Sequence, residues 1–266
     1  MTVNKSGRPA FRPEITDLAI AFALLTRIPL PQRLFPPFGA RPAAYAAWAY
    51  PLVGLALGGL TAGVAFAAMA IGVRYDIAAL FGLMAGILCT GAMHEDGLAD
   101  CADGFWGGFT PERRLEIMRD SQIGVYGVIA LVVSLLLRWL CLALLCQGGH
   151  VMPVLLLPVI SRATMVAVMH ALPNARQNGL SHQTGVPPRS AVAVAIGIGA
   201  LAVLPMPGNV ALGVFFGAIA ATATVAMLAR AKIAGQTGDV LGAVQQSVEA
   251  ITLVFAATVL ASVESL

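Results

Sequence analysis

Long apolar runs separated by short polar segments dominate the hydrophobic pattern of this chain of 266 residues. A helix that crosses a bilayer needs about 20 mostly apolar residues, within a range of about 17 to 25. We therefore predict a membrane-spanning helix wherever such a run lies between charged, proline-marked or glycine-marked breaks. The strong candidates are residues 48–73, 77–93, 123–147, 151–172 and 210–229.

Three weaker segments complete the pattern. Residues 191–206 and 249–263 are short for a span and would have to tilt, re-enter or extend into their flanks. Residues 15–30 predict an amphipathic helix that lies at the membrane interface and stops at Pro29. The expected fold is an all-α, polytopic membrane protein with about seven transmembrane helices and one N-terminal interfacial helix, forming a single domain over residues 1–266.

The composition strengthens this interpretation and removes several function classes. Hydrophobic residues make up 58% of the chain and charged residues 11%, whereas a soluble domain carries roughly 25% charged residues. The net charge of +3 comes from scattered residues with no basic patch, so we expect no nucleic-acid partner. The four cysteines form no CxxC pair, which argues against a zinc site or a disulfide framework. Residues 1–17 are polar, so we expect no cleavable signal peptide and an N-terminus that stays attached.

The basic residues predict the orientation of the chain, because Lys and Arg are retained in cytoplasmic loops. With the N-terminus inside, only Arg74 falls outside, and Arg138 and Arg162 lie within spans; the rest of the 16 basic residues lie inside. We therefore expect a membrane protein whose N-terminus and acidic loop face the cytoplasm.

Acidic residues concentrate in the segment 94–122, between the second and third predicted spans. At about 100° per helical residue, Asp96, Asp100 and Asp103 would share one narrow stripe. Clustered carboxylates without a matching Lys or Arg are typical of a site for a hard divalent cation, and Mg²⁺ is usually held by one or two carboxylates plus phosphate oxygens. We predict a Mg²⁺ site at Asp96, Asp100 and Asp103, with Asp120 as a further ligand. The alternative is a solvated acidic face of a cytoplasmic loop.

His94 precedes this stripe but would lie about 160° away from it on a continuous helix. It could act as a base or a metal ligand only if the chain bends at Asp96-Gly97. The alternative is a structural histidine that forms hydrogen bonds at the membrane interface.

The acidic segment contains the motif His94-x-Asp96-Gly97-x-x-Asp100-x-x-Asp103-Gly104, followed by PERRLEIMRDSQIGVYG. This motif resembles that of the cobalamin synthases, the membrane enzymes also called adenosylcobinamide-GDP ribazoletransferases. The likeness extends in order over most of the chain, through LLTRIPLP around Arg27, YPLVGLALG from Tyr50, Ser161-Arg162, and GQTGDVLGA from Gly235. The chain departs from the family pattern at Glu95, where an apolar residue is expected, and at Gln245-Gln246, where an acidic residue is expected.

The resemblance implies a reaction of adenosylcobinamide-GDP with α-ribazole or its 5′-phosphate, which gives adenosylcobalamin or its phosphate and GMP. It implies a catalytic set of His94, Asp96, Asp100 and Asp103. It also favours phosphate and substrate binding by residues outside the acidic segment, in a second cytoplasmic loop at 230–248 and elsewhere: Arg27, Arg162, Arg176, Thr237 and Asp239. Arg138 has weaker support, since it could simply pair with a carboxylate.

Two other functions remain open from the sequence. Asp100-x-x-Asp103-Gly104 also looks like the start of the CDP-alcohol phosphotransferase signature, but Phe105-Trp106-Gly107 follows in place of the expected Ala-Arg. A transporter would fit about seven spans with arginines inside, although we find no repeated half. The expected partners are the two small-molecule substrates and the lipid bilayer, with a homo-oligomer or an association with other cobalamin-assembly enzymes as further possibilities.

Overall fold

The computed structural model of the chain describes residues 11–37, 39 and 41–264, and these residues contain helices and no β-strand. The predicted retention of the N-terminus rests on residues 1–17, of which residues 1–10 lie outside this part of the chain. Short 3₁₀ helices at Gln32–Leu34 and Ala43–Ala49 accompany the α-helices. The α-helices are α1 Ile15–Leu25, α2 Tyr50–Ala70, α3 Tyr75–Thr90, α4 Met93–Gly107, α5 Pro111–Ile117, α6 Val125–Gln147, α7 Val151–Ala171, α8 Leu180–Thr184, α9 Arg189–Leu201, α10 Gly208–Ile233 and α11 Gly238–Glu264.

The fold is the all-α, multi-span architecture that the apolar runs predict, but seven spans are not confirmed. Within the described residues, five helices are long and apolar enough to cross a membrane, or six if the bent pair α3 and α4 forms one span. The five are Ala43–Ala70, Val125–Gln147, Val151–Ala171, Gly208–Ile233 and Gly238–Ser262.

The two marginal runs turn out differently from each other. Residues 191–206 overlap α9, which starts at Arg189 and ends at Leu201; its 13 residues extend about 20 Å against a hydrocarbon core of about 30 Å. Residues 249–263 belong to a full-length helix that already begins at Gly238. The expected cytoplasmic loop at 230–248 is therefore reduced to a short turn, because α10 continues to Ile233 and α11 starts at Gly238.

The acidic segment is a packed helix and not a loop. After α3, Gly91 and Ala92 adopt left-handed backbone angles with φ of 66° and 57°, and α4 leaves at 84° to α3. Helix α4 then packs between α6 and α11. Small residues make this burial possible, since Gly97, Ala99 and Gly104 are all buried on α4.

Helices α7 and α11 lie at the centre of the bundle and are its two most buried spans. Helix α2 packs on α7 through two glycines: a Cβ at Gly54 or Gly58 would lie 2.2 Å from the backbone oxygen of Pro158 or Leu155. Only residues without a Cβ allow this approach, so the YPLVGLALG run is explained by helix packing.

A buried carboxylate anchors α1 to the segment before α2. Asp17 is fully buried and accepts hydrogen bonds from Arg41 and from the indole N–H of Trp48, the latter at 2.7 Å. Burial alone raises the pKa of Asp17, but the hydrogen bonds from Arg41, Trp48 and the backbone N–H of Glu14 outweigh it and hold the pKa below its ordinary value. Asp17 is therefore charged and paired at neutral pH.

Candidate active site

Helix α4 and the first turns of α11 approach each other closely because glycines occupy the contact positions. A Cβ at Gly97 would lie 2.7 Å from the backbone oxygen of Asp239, and a Cβ at Gly242 would lie 3.2 Å from the Cα of His94. Glycine has no Cβ and so lets two backbones pack at this distance. The contact places the acidic positions of α4 beside the start of α11.

Asp96, Asp100 and Asp239 form an acidic cluster at this contact. Asp100 interacts electrostatically with Asp96, Asp239 and Asp103, and Asp239 also interacts with Asp96. No residue in the described part of the chain forms a hydrogen bond with the carboxylate of Asp96 or Asp100. Like charges at short range disfavour one another, so the cluster favours a bound cation.

A cleft of about 460 Å³ opens beside the acidic cluster. It is lined by Asp96, Asp100 and Asp120, together with Arg119 and Ser121. Asp120 is exposed, and its carboxylate accepts a hydrogen bond of 3.1 Å from the backbone N–H of Gln122. Three of the four predicted metal ligands therefore line one cleft.

The fourth predicted ligand, Asp103, caps a helix. Its Oδ2 accepts the backbone N–H of Gly124 at 2.7 Å, and its Oδ1 accepts that of Gly127 at 2.9 Å. Gly124 is the N-cap of α6, so the carboxylate satisfies donors of the first turn and complements the positive end of the helix dipole. A metal role for Asp103 stays a prediction, and the structure gives it a role in capping α6.

Arg176, Thr237 and Asp239 form a hydrogen-bonded group next to the cluster. Arg176 Nη2 and Thr237 Oγ1 each donate to Oδ2 of Asp239 at 3.1 Å, and Thr237 also accepts the backbone N–H of Val240 at 3.3 Å. Nη1 of Arg176 is buried and has no hydrogen-bond partner among the described residues. A guanidinium with spare donors beside this cluster is suited to a phosphate oxygen.

Backbone hydrogen bonds bring Arg176 to this position from a distant part of the chain. The N–H of Gln236 donates to the carbonyl of Pro173 at 2.8 Å, and the N–H of Ala175 donates to the carbonyl of Gln236 at 2.9 Å. Ser181 Oγ donates to the buried amide oxygen of Gln236 at 2.8 Å. The loop after α7 is thus joined to the turn before α11.

Arg162 and His94 lie in the interior of the bundle. Arg162 donates to the Glu249 carboxylate, and Glu249 also accepts a hydrogen bond of 3.0 Å from Arg138. His94 is 1% exposed. The bend between helices lies at Gly91-Ala92 rather than at the expected Asp96-Gly97. Because α4 is continuous through His94, the bend required for its catalytic role is absent, and that role stays a prediction.

Arg27 lies at the break between α3 and α4. Its backbone N–H donates to the carbonyl of Cys89 at 2.7 Å, and its exposed side chain packs against Gly91. The residue therefore supports the break, and its predicted contact with substrate stays a prediction.

Sequence reasoning missed Glu249, the partner of both buried arginines. The available signal was a carboxylate next to an apolar run in a chain with two arginines inside spans, since a buried charge requires an opposite charge. The sequence predicts that the last span starts at residue 249, which places Glu249 at a helix end and not in the interior.

The residues present fit a Mg²⁺ ion that is completed by substrate. In the described part of the chain, no group of three His, Cys, Asp or Glu side chains is placed to hold a metal by itself. Mg²⁺ needs only one or two carboxylates when phosphate oxygens and water supply the other ligands. Asp96 and Asp100, with carboxylates that face one cleft and have no hydrogen-bond partner among the described residues, meet that requirement.

Comparison with known proteins places the chain in a family. The model of the CobS family, described as cobalamin-5-phosphate synthase, matches residues 17–257. The chain belongs to the cobalamin-5-phosphate synthase family. This family match covers every candidate site residue named above, from Arg27 to Asp239.

Curated relatives of this cobalamin synthase family member match most of its length. A protein of Bradyrhizobium diazoefficiens named adenosylcobinamide-GDP ribazoletransferase is 42% identical over 255 residues, which cover 94% of this chain and 96% of the relative. Proteins with the same name from Mesorhizobium japonicum and Brucella ovis are 40% and 41% identical, over 94% and 87% of this chain and 96% and 92% of theirs. No solved structure matches the chain. The comparisons support the cobalamin synthase resemblance over the phospholipid synthase and the transporter.

Proposed function

We propose that this chain is an adenosylcobinamide-GDP ribazoletransferase that depends on Mg²⁺. The observation that carries the proposal is the meeting of Asp96 and Asp100 on α4 with Asp239 and Arg176 from two other parts of the chain. Carboxylates for a cation and a guanidinium for phosphate are the groups that transfer from a diphosphate requires. The names of relatives at about 40% identity support the same activity.

The proposed reaction joins two substrates at phosphorus. A hydroxyl of α-ribazole, or of its 5′-phosphate, attacks the phosphorus that carries the aminopropanol group of adenosylcobinamide-GDP. A new oxygen–phosphorus bond forms, the bond from that phosphorus to the oxygen of GMP breaks, and GMP leaves with the bonding electrons. The hydroxyl proton passes to a carboxylate in the cleft, where Asp96 and Asp100 are available to accept it.

Asp96 and Asp100 would hold the Mg²⁺ ion, with Asp120 at the edge of the same cleft. When bound, the ion neutralises charge on the diphosphate oxygens and favours departure of GMP. Arg176 contributes a donor to phosphate beside the cluster; Asp239 holds its guanidinium in place, and Thr237 holds the Asp239 carboxylate. The chain itself thus positions the diphosphate between fixed charges.

We also propose that the enzyme lies in the bacterial inner membrane with the N-terminus and the cleft on the cytoplasmic side. The excess of Lys and Arg in the segments on that side supports this orientation. The nucleotide substrates are water-soluble, so a cleft at the cytoplasmic end of the bundle is accessible to them.

The test is release of GMP from adenosylcobinamide-GDP by the purified protein in lipid, with or without α-ribazole and with Mg²⁺ or EDTA. We expect release that requires both α-ribazole and Mg²⁺. Release without α-ribazole would indicate a hydrolase, and full activity in EDTA would contradict the metal dependence.

Asp100→Asn tests the site within the same assay. We expect GMP release to fall by about 100-fold or more, because the variant loses a charged metal ligand and keeps the shape of the side chain. Glu112→Gln is the matched control, since Glu112 lies exposed on α5 outside the cleft. Wild-type activity of Asp100→Asn would refute the assignment of Asp100.

A further inference from the structure

Four charged side chains form a network inside the bundle, and they come from four helices. Arg138 on α6 donates to Glu95 on α4 at 2.8 Å and to Glu249 on α11 at 3.0 Å. Arg162 on α7 donates to the other oxygen of Glu249. We call Glu95, Arg138, Arg162 and Glu249 the buried charge network. It joins α4, which carries Asp96 and Asp100, to α6, α7 and α11.

The buried charge network is electrically balanced. It contains two positive and two negative groups, and its side chains are only 5% to 9% exposed. Charges inside a membrane protein are costly, and removing one member of a buried pair leaves an uncompensated charge. Balance is therefore a condition for this arrangement.

Glu95 and Gln246 contact the same nitrogen of Arg138. Gln246 Oε1 accepts from Arg138 Nη1 at 2.7 Å, and Gln246 Nε2 donates to Glu95 Oε1 at 2.9 Å. Glu and Gln have the same shape, so the carboxylate could stand at either position without changing the net charge. The sequence has placed the charge on α4, directly beside the acidic cluster.

The position of Glu95 on α4 matters because Asp96 is the next residue. Successive helical residues are about 100° apart, so a side chain fixed inside at 95 sets the direction of its neighbour. Both residues border the cleft, but Glu95 is 7% exposed and pairs with Arg138, whereas Asp96 is exposed and has no such partner. A rotation of α4 that broke the contact with Arg138 would move both Asp96 and Asp100.

We propose that Glu95 is a positioning residue, which fixes the rotation of α4 through Arg138 and Gln246 and so aims Asp96 and Asp100 into the cleft. The kinetic part of this proposal rests on the proposed transferase function. The structural part, the charge balance around Arg138, can be measured without any activity.

The first test is a charge exchange across Arg138. Glu95→Gln leaves the network with one excess positive charge, and Gln246→Glu leaves it with one excess negative charge. Each single variant should lower the unfolding midpoint in detergent by about 5 °C or more. The double variant E95Q/Q246E restores neutrality and should be more stable than either single variant, even though it loses the hydrogen bond from Gln246 to Gln245.

The test is decided by whether E95Q/Q246E is more or less stable than the two single variants. A double variant that is less stable than both single variants would show that Arg138 does not respond to the position of the charge, and the proposal would fail. Glu116→Gln is the matched control, because Glu116 forms an exposed pair with Arg113 on α5 and its removal should leave the midpoint nearly unchanged.

The second test separates positioning from folding. E95Q/R138Q removes both partners and keeps the network neutral, because Arg162 and Glu249 still pair, so the protein should fold more stably than Glu95→Gln. With α4 no longer held, the Mg²⁺ concentration for half-maximal GMP release should rise at least about threefold, and kcat should fall about tenfold. A folded variant with wild-type values of both would overturn the positioning role.

Failure of the proposed function would give a different result from failure of this inference. If the wild-type protein releases no GMP, the transferase assignment fails, while the unfolding midpoints of the four variants still test the charge exchange. If the wild-type protein is active and E95Q/Q246E is no more stable than the single variants, only the inference fails.

Discussion

Asp100 and Asp103 lie three positions apart on α4, yet their carboxylates have different surroundings. Asp100 faces the cleft with no hydrogen-bond partner among the described residues, whereas Asp103 binds two backbone N–H groups of α6. Helical spacing predicts that Asp96, Asp100 and Asp103 share one stripe, and in the structure Asp96 and Asp100 line one cleft while Asp103 caps α6. The division of roles within it depends on the neighbouring helix, which spacing does not contain.

Asp17 gives a stability prediction with a matched control on the same arginine. Asp17→Asn should destabilise the protein by about 2 kcal/mol, because Arg41 keeps its charge and loses a buried partner. Glu14→Gln removes the exposed partner of Arg41 and should cost much less. Unfolding midpoints in detergent measure both; equal effects would show that the burial of Asp17 does not matter.

The pH dependence of the Asp17–Arg41 pair follows from the direction in which the pKa of Asp17 is shifted. The pKa of Asp17 lies below its ordinary value of 3.8 in the folded protein, so its stabilisation is complete above about pH 3.8. It is lost as the pH falls through the lowered folded value. The difference in unfolding midpoint between wild type and Asp17→Asn should therefore be constant near neutral pH and shrink below about pH 3.8.

Helix α4 shows how an element can differ from the loop that its composition suggests. Its acidic residues and glycines indicate an exposed segment, but the glycines allow it to pack against α11 and α5. Gly104, for example, leaves room for the side chain of Met118. Polar residues on one face and small residues on the other make α4 a helix of the bundle.

Gly97→Ala tests the contact between α4 and α11. The added Cβ would lie 2.7 Å from the backbone oxygen of Asp239, so the helices must separate and the acidic cluster must open. We expect a loss of about 1 to 3 kcal/mol in stability and a fall of about tenfold or more in GMP release. Gly107→Ala on the same helix meets only Ile117 at 3.5 Å and should change neither quantity much.

Across the whole molecule, the number of spans depends on α9. The 13 residues of α9 are short for a span, yet the loop before it and the end of α10 both carry basic residues that indicate the cytoplasmic side. If α10 crosses the membrane, α9 must cross as well to bring both ends of the site to one side. The contact between the loop after α7 and the turn before α11 requires that arrangement.

Single cysteines on either side of α9 measure this directly. We expect a membrane-impermeant thiol reagent to label Asn209→Cys in intact cells and to label Gln177→Cys only after permeabilisation. Both positions are exposed. The wild-type protein, in which Cys101, Cys141 and Cys146 are buried and Cys89 is partly buried, sets the background. Labelling of both variants under the same condition would show that α9 does not cross.

The sequence alone determined the class of fold, most of the long helices and the residue types of the site, because apolar length and helical spacing are local properties. It could also place Asp96, Asp100, Arg176, Thr237 and Asp239 among the candidates. Only the tertiary structure decided which of these meet, that Asp103 caps α6, and that Glu249 neutralises two arginines. Those contacts join residues far apart in the chain. They depend on how closely helices approach at glycines and on the pairing of buried charges, and neither is a local property of the sequence.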